Sequence, residues 1–352
     1  MGLWGYVARR LLLMVPTLFG ILLVTFAIIQ FVPGGPVEQM VQQLQGDGAQ
    51  MGEVARSSNV YRGNRGVDEA KLAEIRALYG FDRPPAERFW KMVTDFARFD
   101  LGKSFFYDRS VWQLIKDKLP VSVSLGLWSF VLTYLVSVPL GIAKAVRHGS
   151  RFDLITSTLI LVGYAIPGFV LGVALLVLFG GGSFWQLFPL RGLTSDNWAA
   201  LSPMAKVLDY LWHLTLPLVC MVMGSFAVTT MLTKNTVLEE IRKQYVTVAR
   251  AKGLDERAVL WRHVFRNALI PIVTGFPAAF IGAFFTGSLL IETLFSLDGL
   301  GLLSYDAVIK RDYPVVLGTL YFFSLIGLVA KLVNDIAYVW VDPRVQFGDL
   351  AR

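Results

Sequence analysis

One stretch of the chain has the residue types of a nucleotide-binding loop. Residues 97–104 match the pattern of a phosphate-binding P-loop, except that Ala97 replaces the first glycine. A P-loop needs a buried strand before it and a helix after it, so that backbone N–H groups surround the phosphates. No strand pattern precedes residue 97, and Asp100 would place a negative charge beside the phosphates. We therefore interpret the match as fortuitous and predict no nucleotide site in this chain.

Other residue types that form catalytic or metal sites lack the necessary spacing. The single cysteine, Cys220, excludes an internal disulfide framework and a CxxC metal site. The histidines at 148, 213 and 263 lie far apart and lack metal-ligand spacing. No acid–base pair or nucleophilic triad stands out. We expect a non-catalytic protein with no metal site and no cofactor of its own.

Three charged residues fall in or near apolar stretches. Lys331 and Asp335 are four residues apart on a predicted helix, where they could form a proton relay or a self-neutralising pair. We favour the structural pair, since Lys can extend its ammonium beyond the end of an apolar stretch. Glu292 lies at the end of a further apolar stretch, and contact with a ligand and a simple interface position remain equal alternatives.

The composition places the chain in a membrane. Of its 352 residues, 55% are hydrophobic and 17% charged, with a mean hydropathy of +0.55, whereas soluble domains have about 25% charged residues. A soluble globular enzyme and a disordered chain are therefore excluded. Six stretches approach or exceed the ~20 residues that a helix needs to cross a bilayer. They are residues 11–37, 119–143, 154–190, 210–233, 267–291 and 313–340.

The distribution of basic residues predicts the orientation. The loops and termini on one side of the predicted spans hold fifteen Lys and Arg residues, whereas the short loops on the other side hold four. Positive residues concentrate on the cytoplasmic side of membrane proteins. Both termini are therefore predicted to be cytoplasmic, and the net charge of +7 needs no nucleic-acid partner. We interpret the first apolar stretch as an uncleaved span, because it is too long for a signal peptide.

The predicted domains follow from this topology. Residues 1–36 form the N-terminal tail and first span, residues 37–118 an outer segment, residues 119–343 the transmembrane core, and residues 344–352 a cytoplasmic tail. In the outer segment, residues 46–66 are polar and Gly-rich, and residues 68–79 predict a helix that Gly80 ends. Its aromatic residues indicate packing or docking of an external partner, and we favour packing. These residues are Phe89, Trp90, Phe96, Phe99, Phe105 and Phe106.

The cytoplasmic loop 234–270 predicts a helix, a sharp turn and a short helix. Gly253 is placed to end the first helix, Asp255 to cap the second, and Leu254 to pack against Val259 as a hydrophobic staple. Small residues at the bend (Ala249, Ala251 and Gly253) leave room for another surface. Such a basic, amphipathic pattern suits a helix in a partner's groove or a helix on anionic lipid. Composition alone leaves these two alternatives even.

The order of residues in this loop resembles the EAA loop of ABC-importer permeases, specifically the dipeptide/oligopeptide branch. The resemblance rests on Tyr245, Val246, Ala249, Ala251, Lys252, Gly253 and Leu254, followed by His263 and Arg266-Asn267-Ala268-Leu269-Ile270-Pro271. Where the general consensus begins Glu-Ala-Ala, this chain has Thr247-Val248-Ala249. Further matches to the B-type peptide permeases are Arg9-Arg10-Leu11-Leu12, Pro33-Gly34-Gly35-Pro36, Arg311-Asp312-Tyr313-Pro314 and Asp342-Pro343-Arg344. Residues 99–106, 109–112 and 295–301 are similar to the Yej-type branch, which is associated with import of peptides and of the peptide-nucleotide antibiotic microcin C.

The resemblance implies an all-α polytopic protein of the type I ABC importer permease fold in the bacterial inner membrane. Its implied partners are a second homologous permease chain, a cytoplasmic P-loop ATPase that binds ATP and Mg²⁺, and a periplasmic substrate-binding protein. Loop 245–254, together with Asp255, would receive the ATPase, and we name it the coupling segment. Its implied coupling residues are Tyr245, Ala249, Ala251, Lys252, Gly253, Leu254 and Asp255. No residue is assigned to the cargo pathway.

Two other functions remain alternatives to an importer permease. An ion-coupled secondary peptide carrier would need ionisable residues near the membrane centre and often has internal repeats. This chain has no obvious repeat, and its charges lie near the ends of the predicted spans. A scaffold that presents the outer segment would leave the helix–glycine–helix loop unexplained.

Overall fold

The computed structural model describes residues 3–31, 82–181, 184–285 and 288–341. The sequence predictions for residues 46–66 and 68–79, the Pro33–Pro36 motif and the tail after residue 341 fall outside these ranges. Within them the chain is helical, apart from loops, turns and one isolated antiparallel bridge between Lys103 and Ser110. The all-α prediction is confirmed.

The helices are numbered in chain order. The first six are α1 (Leu3–Phe31), α2 (Pro85–Ala97), α3 (Val111–Val146), α4 (Arg151–Ala165), α5 (Gly168–Leu175) and α6 (Pro203–Ile241). The next six are α7 (Gln244–Ala251), α8 (Glu256–Ala258), α9 (Phe265–Phe285), α10 (Ser288–Leu294), α11 (Leu300–Ile309) and α12 (Tyr313–Val341). A π-helical turn (Leu176–Gly180) continues α5, a second one (Val259–Val264) joins α8 to α9, and a short 3-10 turn spans Trp198–Ala200.

In the part of the chain that the structure describes, four helices (α1, α3, α6 and α12) are long and apolar enough to cross a bilayer. The bent pair formed by α4 and the continued α5 makes a fifth candidate. These five coincide with five of the six predicted spans. The remaining predicted span, residues 267–291, falls on α9 and α10.

The helix of the second span begins earlier than the sequence pattern suggested. The predicted stretch begins at residue 119, yet Pro120 lies well inside α3, which starts at Val111. The reason is a cap, because the Ser110 hydroxyl accepts a hydrogen bond from the Gln113 N–H at 3.2 Å. Helix α3 is therefore longer than its apolar stretch.

The third span is broken where a single helix was predicted. Helices α4 and α5 meet at an angle of 93°. Pro167 lies at the break with φ −56° and has no N–H to continue the ladder of α4. The helical part of this predicted stretch, 154–190, ends at Gly180 in a π-helical turn.

The chain divides into two compact units. The first comprises Met1–Arg10, Lys118–Leu302 and Ile326–Arg352, and the second comprises Leu11–Asp117 and Leu303–Leu325. Among the described residues of the first unit, one buried apolar cluster surrounds Leu125, Leu214 and Phe295, and another lies beneath α7.

The outer aromatic residues belong to the second unit. Phe89 and Phe96 are buried there, with ring centroids 5.5 Å from Phe19 and 5.3 Å from Tyr321 respectively. Trp90 and Phe99 keep more than half of their surface exposed. Packing therefore accounts for part of the aromatic set.

Candidate functional site

The coupling segment is mostly helix α7, which follows directly on the long helix α6. The break between them falls at Arg242 and Lys243, where Lys243 is extended with φ −74° and ψ 148°. The sequence pattern had suggested only one helix before Gly253, so this break is a correction. It gives the coupling segment its own helix axis.

One face of α7 is anchored inside the protein. Val246 is fully buried and Ala249 is 6% exposed. They belong to an apolar cluster that collects residues from α3, α6, the π-helical turn and α9. Its other buried members are Ile142, Ala145, Val237, Val259, Val264 and Ala268. Helix α7 is therefore joined to the ends of α3 and α6 by closely packed side chains.

Gly253 ends α7 as predicted. Its φ is +80°, a left-handed conformation that glycine adopts without strain. The Gly253 N–H donates to the Arg250 carbonyl at 2.9 Å, and the Leu254 N–H donates to the Ala249 carbonyl at 3.4 Å. A Cβ at Gly253 would meet no atom of the described residues within 4 Å. Inside the chain, glycine is thus needed for its backbone conformation, and the space above it is open.

Asp255 caps the next helix, also as predicted. Its carboxylate accepts a hydrogen bond from the Arg257 N–H at 3.1 Å. Across the turn, the Arg250 guanidinium forms a two-point ion pair with Glu256, with N–O distances of 2.7 and 3.2 Å. The turn is held on both sides of Gly253.

Tyr245 connects three parts of the loop. Its hydroxyl donates to the Glu240 carboxylate at the end of α6, and the Asn267 amide donates to it at 3.0 Å. The Asn267 amide also donates to the His263 carbonyl at 3.1 Å. Burial raises the pKa of Tyr245, and its hydrogen bond to Glu240 raises it further, so the phenol stays protonated as a donor.

Glu240 is a residue that the sequence reasoning did not single out. It is 9% exposed and also pairs with Lys243, whose pKa the hydrogen bond to Glu240 raises. The sequence feature that could have indicated Glu240 is its position, five residues before Tyr245 of the quoted motif. Asn267 was part of the quoted motif, but its contact with Tyr245 could not be deduced from spacing.

The opposite face of the coupling segment is open. Val248 and Leu254 are 51% and 42% exposed, and Ala251, Lys252 and Gly253 are exposed beside them. Ala249 was expected to leave room for a second surface, and this expectation was wrong, since Ala249 faces the chain's own cluster. Exposed basic residues surround the open face. They are Arg242, Lys243, Arg250, Lys252, Arg257, Arg262 and Arg266.

Comparison with known proteins identifies the family. The family described as "Binding-protein-dependent transport system inner membrane component" matches residues 137–347. The chain belongs to this family. It is 54% identical, over 97% of its length, to the peptidoglycan transport system permease protein YejB of Agrobacterium fabrum and to the inner membrane ABC transporter permease protein YejB of Escherichia coli O157:H7. These matches cover 98% and 99% of the two relatives.

A more distant relative is the dipeptide transport system permease protein DppB of Escherichia coli K12, at 30% identity over 97% of this chain and 98% of that protein. The chain is thus an ABC transporter permease subunit of the peptide-related group and a multi-pass protein of the bacterial inner membrane. Its helical architecture fits the type I importer permease fold.

The permease's Lys331–Asp335 pair does not form, and that prediction was wrong. Asp335 instead pairs with Arg10, with an N–O distance of 2.9 Å, and accepts a hydrogen bond from the buried Tyr6 hydroxyl at 2.8 Å. Lys331 is exposed. Two partners at the other end of the sequence outcompete the i,i+4 neighbour, since a buried carboxylate needs buried donors.

Glu292 is fully buried within the permease. Its carboxylate accepts hydrogen bonds from the Leu302 N–H at 2.7 Å and the Ser122 hydroxyl at 3.3 Å, and the Ser122 oxygen accepts one from the Leu300 N–H at 2.8 Å. Glu292 therefore caps α11 from inside the protein. Of the two alternatives left open for Glu292, ligand contact is replaced by this role, and a position at the membrane interface stays a prediction.

The P-loop-like stretch has a structural use. The hydroxyl of Ser104, the last residue of the pattern, donates to the buried Asp312 carboxylate just before α12. The Phe105 N–H donates to the same carboxylate at 3.1 Å. The hydroxyl that would bind Mg²⁺ in a P-loop is therefore engaged within the chain. Two motifs quoted for the family resemblance, 99–106 and 311–314, thus meet at Asp312.

Proposed function

We propose that this permease forms half of the translocation pathway of an ATP-driven peptide importer and couples to a separate P-loop ATPase through residues 245–255. The observation that carries the proposal is the division of α7 into two faces. Val246 and Ala249 lock one face onto the ends of α3 and α6, while Val248 and Leu254 leave the other face open. A helix held in this way can transmit a push from a partner to the membrane spans.

The partner at this face is a protein rather than a lipid surface. An amphipathic helix on a membrane buries its apolar face in the lipid. Here the apolar face of α7 is already buried in the chain's own cluster. What remains is a small apolar centre at Val248 and Leu254 with a basic rim, the composition of a helix docked in a protein groove.

The cargo and the remaining partners are proposed from the relatives. Their names include peptidoglycan, dipeptide and oligopeptide transport. A peptide backbone is the chemistry that these cargoes share, and microcin C-like peptide-nucleotides contain it as well. A second homologous permease chain would complete the pathway, and a periplasmic substrate-binding protein would deliver the cargo.

An ion-coupled carrier is less well supported. Such a carrier needs a titratable side chain that is free to bind and release its ion within the membrane. The carboxylates of Asp335 and Glu292 were the candidates, and both accept hydrogen bonds from buried groups of this chain. No specific observation favours this second function.

The decisive experiment is purification from native membranes in mild detergent, followed by identification of the bound chains. We expect a second permease and a P-loop ATPase, and ATP-driven uptake of labelled tripeptides after reconstitution with the binding protein. In the same assay, Gly253→Asp should abolish uptake while membrane insertion stays normal. A single chain that transports peptides down an ion gradient without ATP would refute the proposal.

The cargo is tested by competition in the same vesicles. Unlabelled dipeptides, tripeptides, peptidoglycan-derived peptides and a peptide-nucleotide are each added in excess. Compounds that share the pathway reduce uptake of the labelled tripeptide, whereas free nucleotides and free amino sugars do not. If only the sugar moiety competes, the peptide assignment is wrong.

A further inference from the structure

A cluster of charged side chains joins three helices near the coupling segment. Asp153, in the first turn of α4, is paired with Lys234 of α6, with N–O distances of 2.7 and 2.9 Å. Lys144 of α3 approaches the same carboxylate at 3.3 Å, as does His148 from the loop between α3 and α4. We name these four side chains the Asp153 clasp. It joins α3, α4 and α6 at one carboxylate.

The centre of the clasp is buried, whereas the His148 side chain at its edge is 46% exposed. Lys144 has no exposed surface, and Asp153 is 5% exposed. The Lys144 ammonium also donates to the hydroxyls of Thr156 and Ser157 at 2.8 and 2.7 Å and to the Asp153 carbonyl at 3.1 Å. These acceptors hold the buried Lys144 ammonium in one position, because moving it would break several hydrogen bonds of a buried charge.

Helix stability alone does not account for such a cluster. The N-terminus of α4 is already capped, since the Ser150 hydroxyl accepts a hydrogen bond from the Asp153 N–H at 3.3 Å. Buried ion pairs add little net stability over apolar packing, because both charges lose their hydration. What they add is a defined geometry. The clasp therefore fixes how three helix ends are placed.

The clasp and the coupling segment share two of these helices. Lys144 lies between Ile142 and Ala145, which pack beneath α7, and Lys234 lies one turn before Val237, which packs there too. At the same level, a Cβ on Gly141 would come within 2.6 Å of the Thr233 Cβ. The backbones of α3 and α6 thus lie in close contact at the level where both helices pack against α7.

The clasp connects α4 to the packed helices α3, α6 and α7. Beyond its far end the chain turns by 93° into α5. There, Gly168 lies against the carbonyl of Cys220, 2.8 Å from a Cβ placed on the glycine. A shift at the N-terminus of α4 therefore acts on the bent pair of α4 and α5, and α5 packs against α6.

We propose that the Asp153 clasp ties α4 to the coupling segment, so that movement of the bound ATPase reaches the bent α4–α5 pair. Asp153, Lys144 and Lys234 are positioning residues in this scheme, and none of them touches cargo or ATP. The inference rests on the proposed function, because it takes the ATPase to act on α7. It adds which helix is moved and which side chains move it.

The test uses the whole reconstituted importer with purified ATPase and binding protein. Lys234→Met removes the charge and keeps most of the side-chain stem, Lys234→Arg keeps the charge, and Lys331→Met is the control at an exposed lysine of α12. For each variant, three quantities are measured: the ATPase retained per permease, the rate of ATP hydrolysis, and the number of peptides imported per ATP.

With Lys234→Met we expect the ATPase to stay bound and to hydrolyse ATP, while peptides imported per ATP fall by about tenfold, the scale of a lost coupling contact. Lys234→Arg should restore the ratio, and Lys331→Met should leave it unchanged. This ratio separates coupling from structure, since a partly misfolded permease loses uptake and hydrolysis together. An unchanged ratio in Lys234→Met overturns the inference.

Two further outcomes separate a failure of this inference from a failure of the proposed function. Loss of the ATPase from Lys234→Met, with wild-type retention intact, would make the clasp a support for the docking surface and would also overturn the inference. Failure of the wild-type chain to retain any ATPase would instead refute the proposed function. If Lys234→Met does not fold, Asp153→Glu, which keeps the charge and displaces the carboxylate by one methylene, should lower the ratio. An unchanged ratio in that variant is equally fatal to the inference.

Discussion

Two glycine turns in this permease have nearly the same backbone and opposite surroundings. Gly102 has φ +76° and Gly253 has φ +80°, and a Cβ at either would meet nothing within 4 Å. Next to Gly102, the Ser104 hydroxyl and the Phe105 N–H are bound to the buried Asp312 carboxylate. Next to Gly253, Lys252 and Leu254 are exposed and Arg250 is held only by a surface ion pair.

The comparison separates a turn that completes the fold from a turn that is available to a partner. Both stretches contain glycine followed or preceded by lysine, and both resemble known functional motifs. What distinguishes them is where the neighbouring polar groups find their hydrogen-bond partners. A motif whose donors and acceptors are satisfied inside the chain has none left for a ligand.

The largest expected difference concerns aspartate substitutions at the two glycines. Each places a side chain at positive φ, at a similar conformational cost of about 1–2 kcal/mol. Gly253→Asp should abolish ATP-driven uptake, because an acidic side chain then occupies the open face. Gly102→Asp should lower the amount of folded permease and leave uptake per folded molecule near that of the wild type. Equal loss of specific uptake in both variants would remove the distinction between the turns.

The second difference concerns the carboxylates beside the turns. Asp312→Ala leaves the Ser104 hydroxyl and the Phe105 N–H buried without their acceptor, at a cost of about 3 kcal/mol. Asp255→Ala removes an exposed helix cap and should cost about 1 kcal/mol. Thermal unfolding of the two variants in one detergent measures the order. A larger loss for Asp255→Ala would mean that the coupling turn is the more structural of the two.

These two turns also show how far sequence reasoning reached. The helix end at Gly253 and the cap at Asp255 were predicted correctly, because both are local signals set by neighbouring residues. The Asp312 turn was not predicted, since its two halves are more than 200 residues apart in sequence. Pairing of Asp335 failed for the same reason, because Arg10 is distant in sequence and Lys331 is near.

The membrane spans repeat this lesson. Five predicted spans were recovered in candidate membrane-spanning elements because apolar length is a property of a continuous stretch. The 93° bend was missed, although Pro167 was visible, because many prolines in membrane helices only bend them slightly. The Asp153 clasp was missed as well. Its two lysines and its aspartate lie at the ends of three different apolar stretches, and only the fold brings them together.

The third difference between the two turns is how the unfolding free energy that they contribute depends on pH. Burial raises the pKa of Asp312, and the hydrogen bond from Ser104 opposes this only in part. The folded chain therefore binds this proton more tightly than the unfolded chain does. The stabilisation is fully present below the unfolded pKa of about 4 and is lost as the pH rises through the raised folded value.

This dependence is measured as the difference in unfolding free energy between the wild type and Asp312→Asn from about pH 4 to pH 8. The wild type should lose stability relative to the variant as the pH rises. Tyr245 and Lys243 of the coupling loop, whose pKa values are both raised, keep their protons over this range. Tyr245→Phe should therefore show a constant difference. A pH-dependent difference for Tyr245→Phe would contradict this assignment.

The smallest expected effect is at the ion pair across the coupling turn. The side chains of Arg250 and Glu256 are 42% and 72% exposed, so water and salt screen their attraction. Glu256→Gln should therefore lower the unfolding free energy by only about 0.5 kcal/mol, and by less in high salt. Because Gly253 lies between the two paired residues, loss of the pair should also loosen the turn at which we propose that the ATPase binds. Uptake per ATP should then fall by less than about twofold, which is at the low end of the effects that single substitutions have on coupling between two sites. A large fall would mean that the partner binds the pair itself, and the open face would then extend to Glu256.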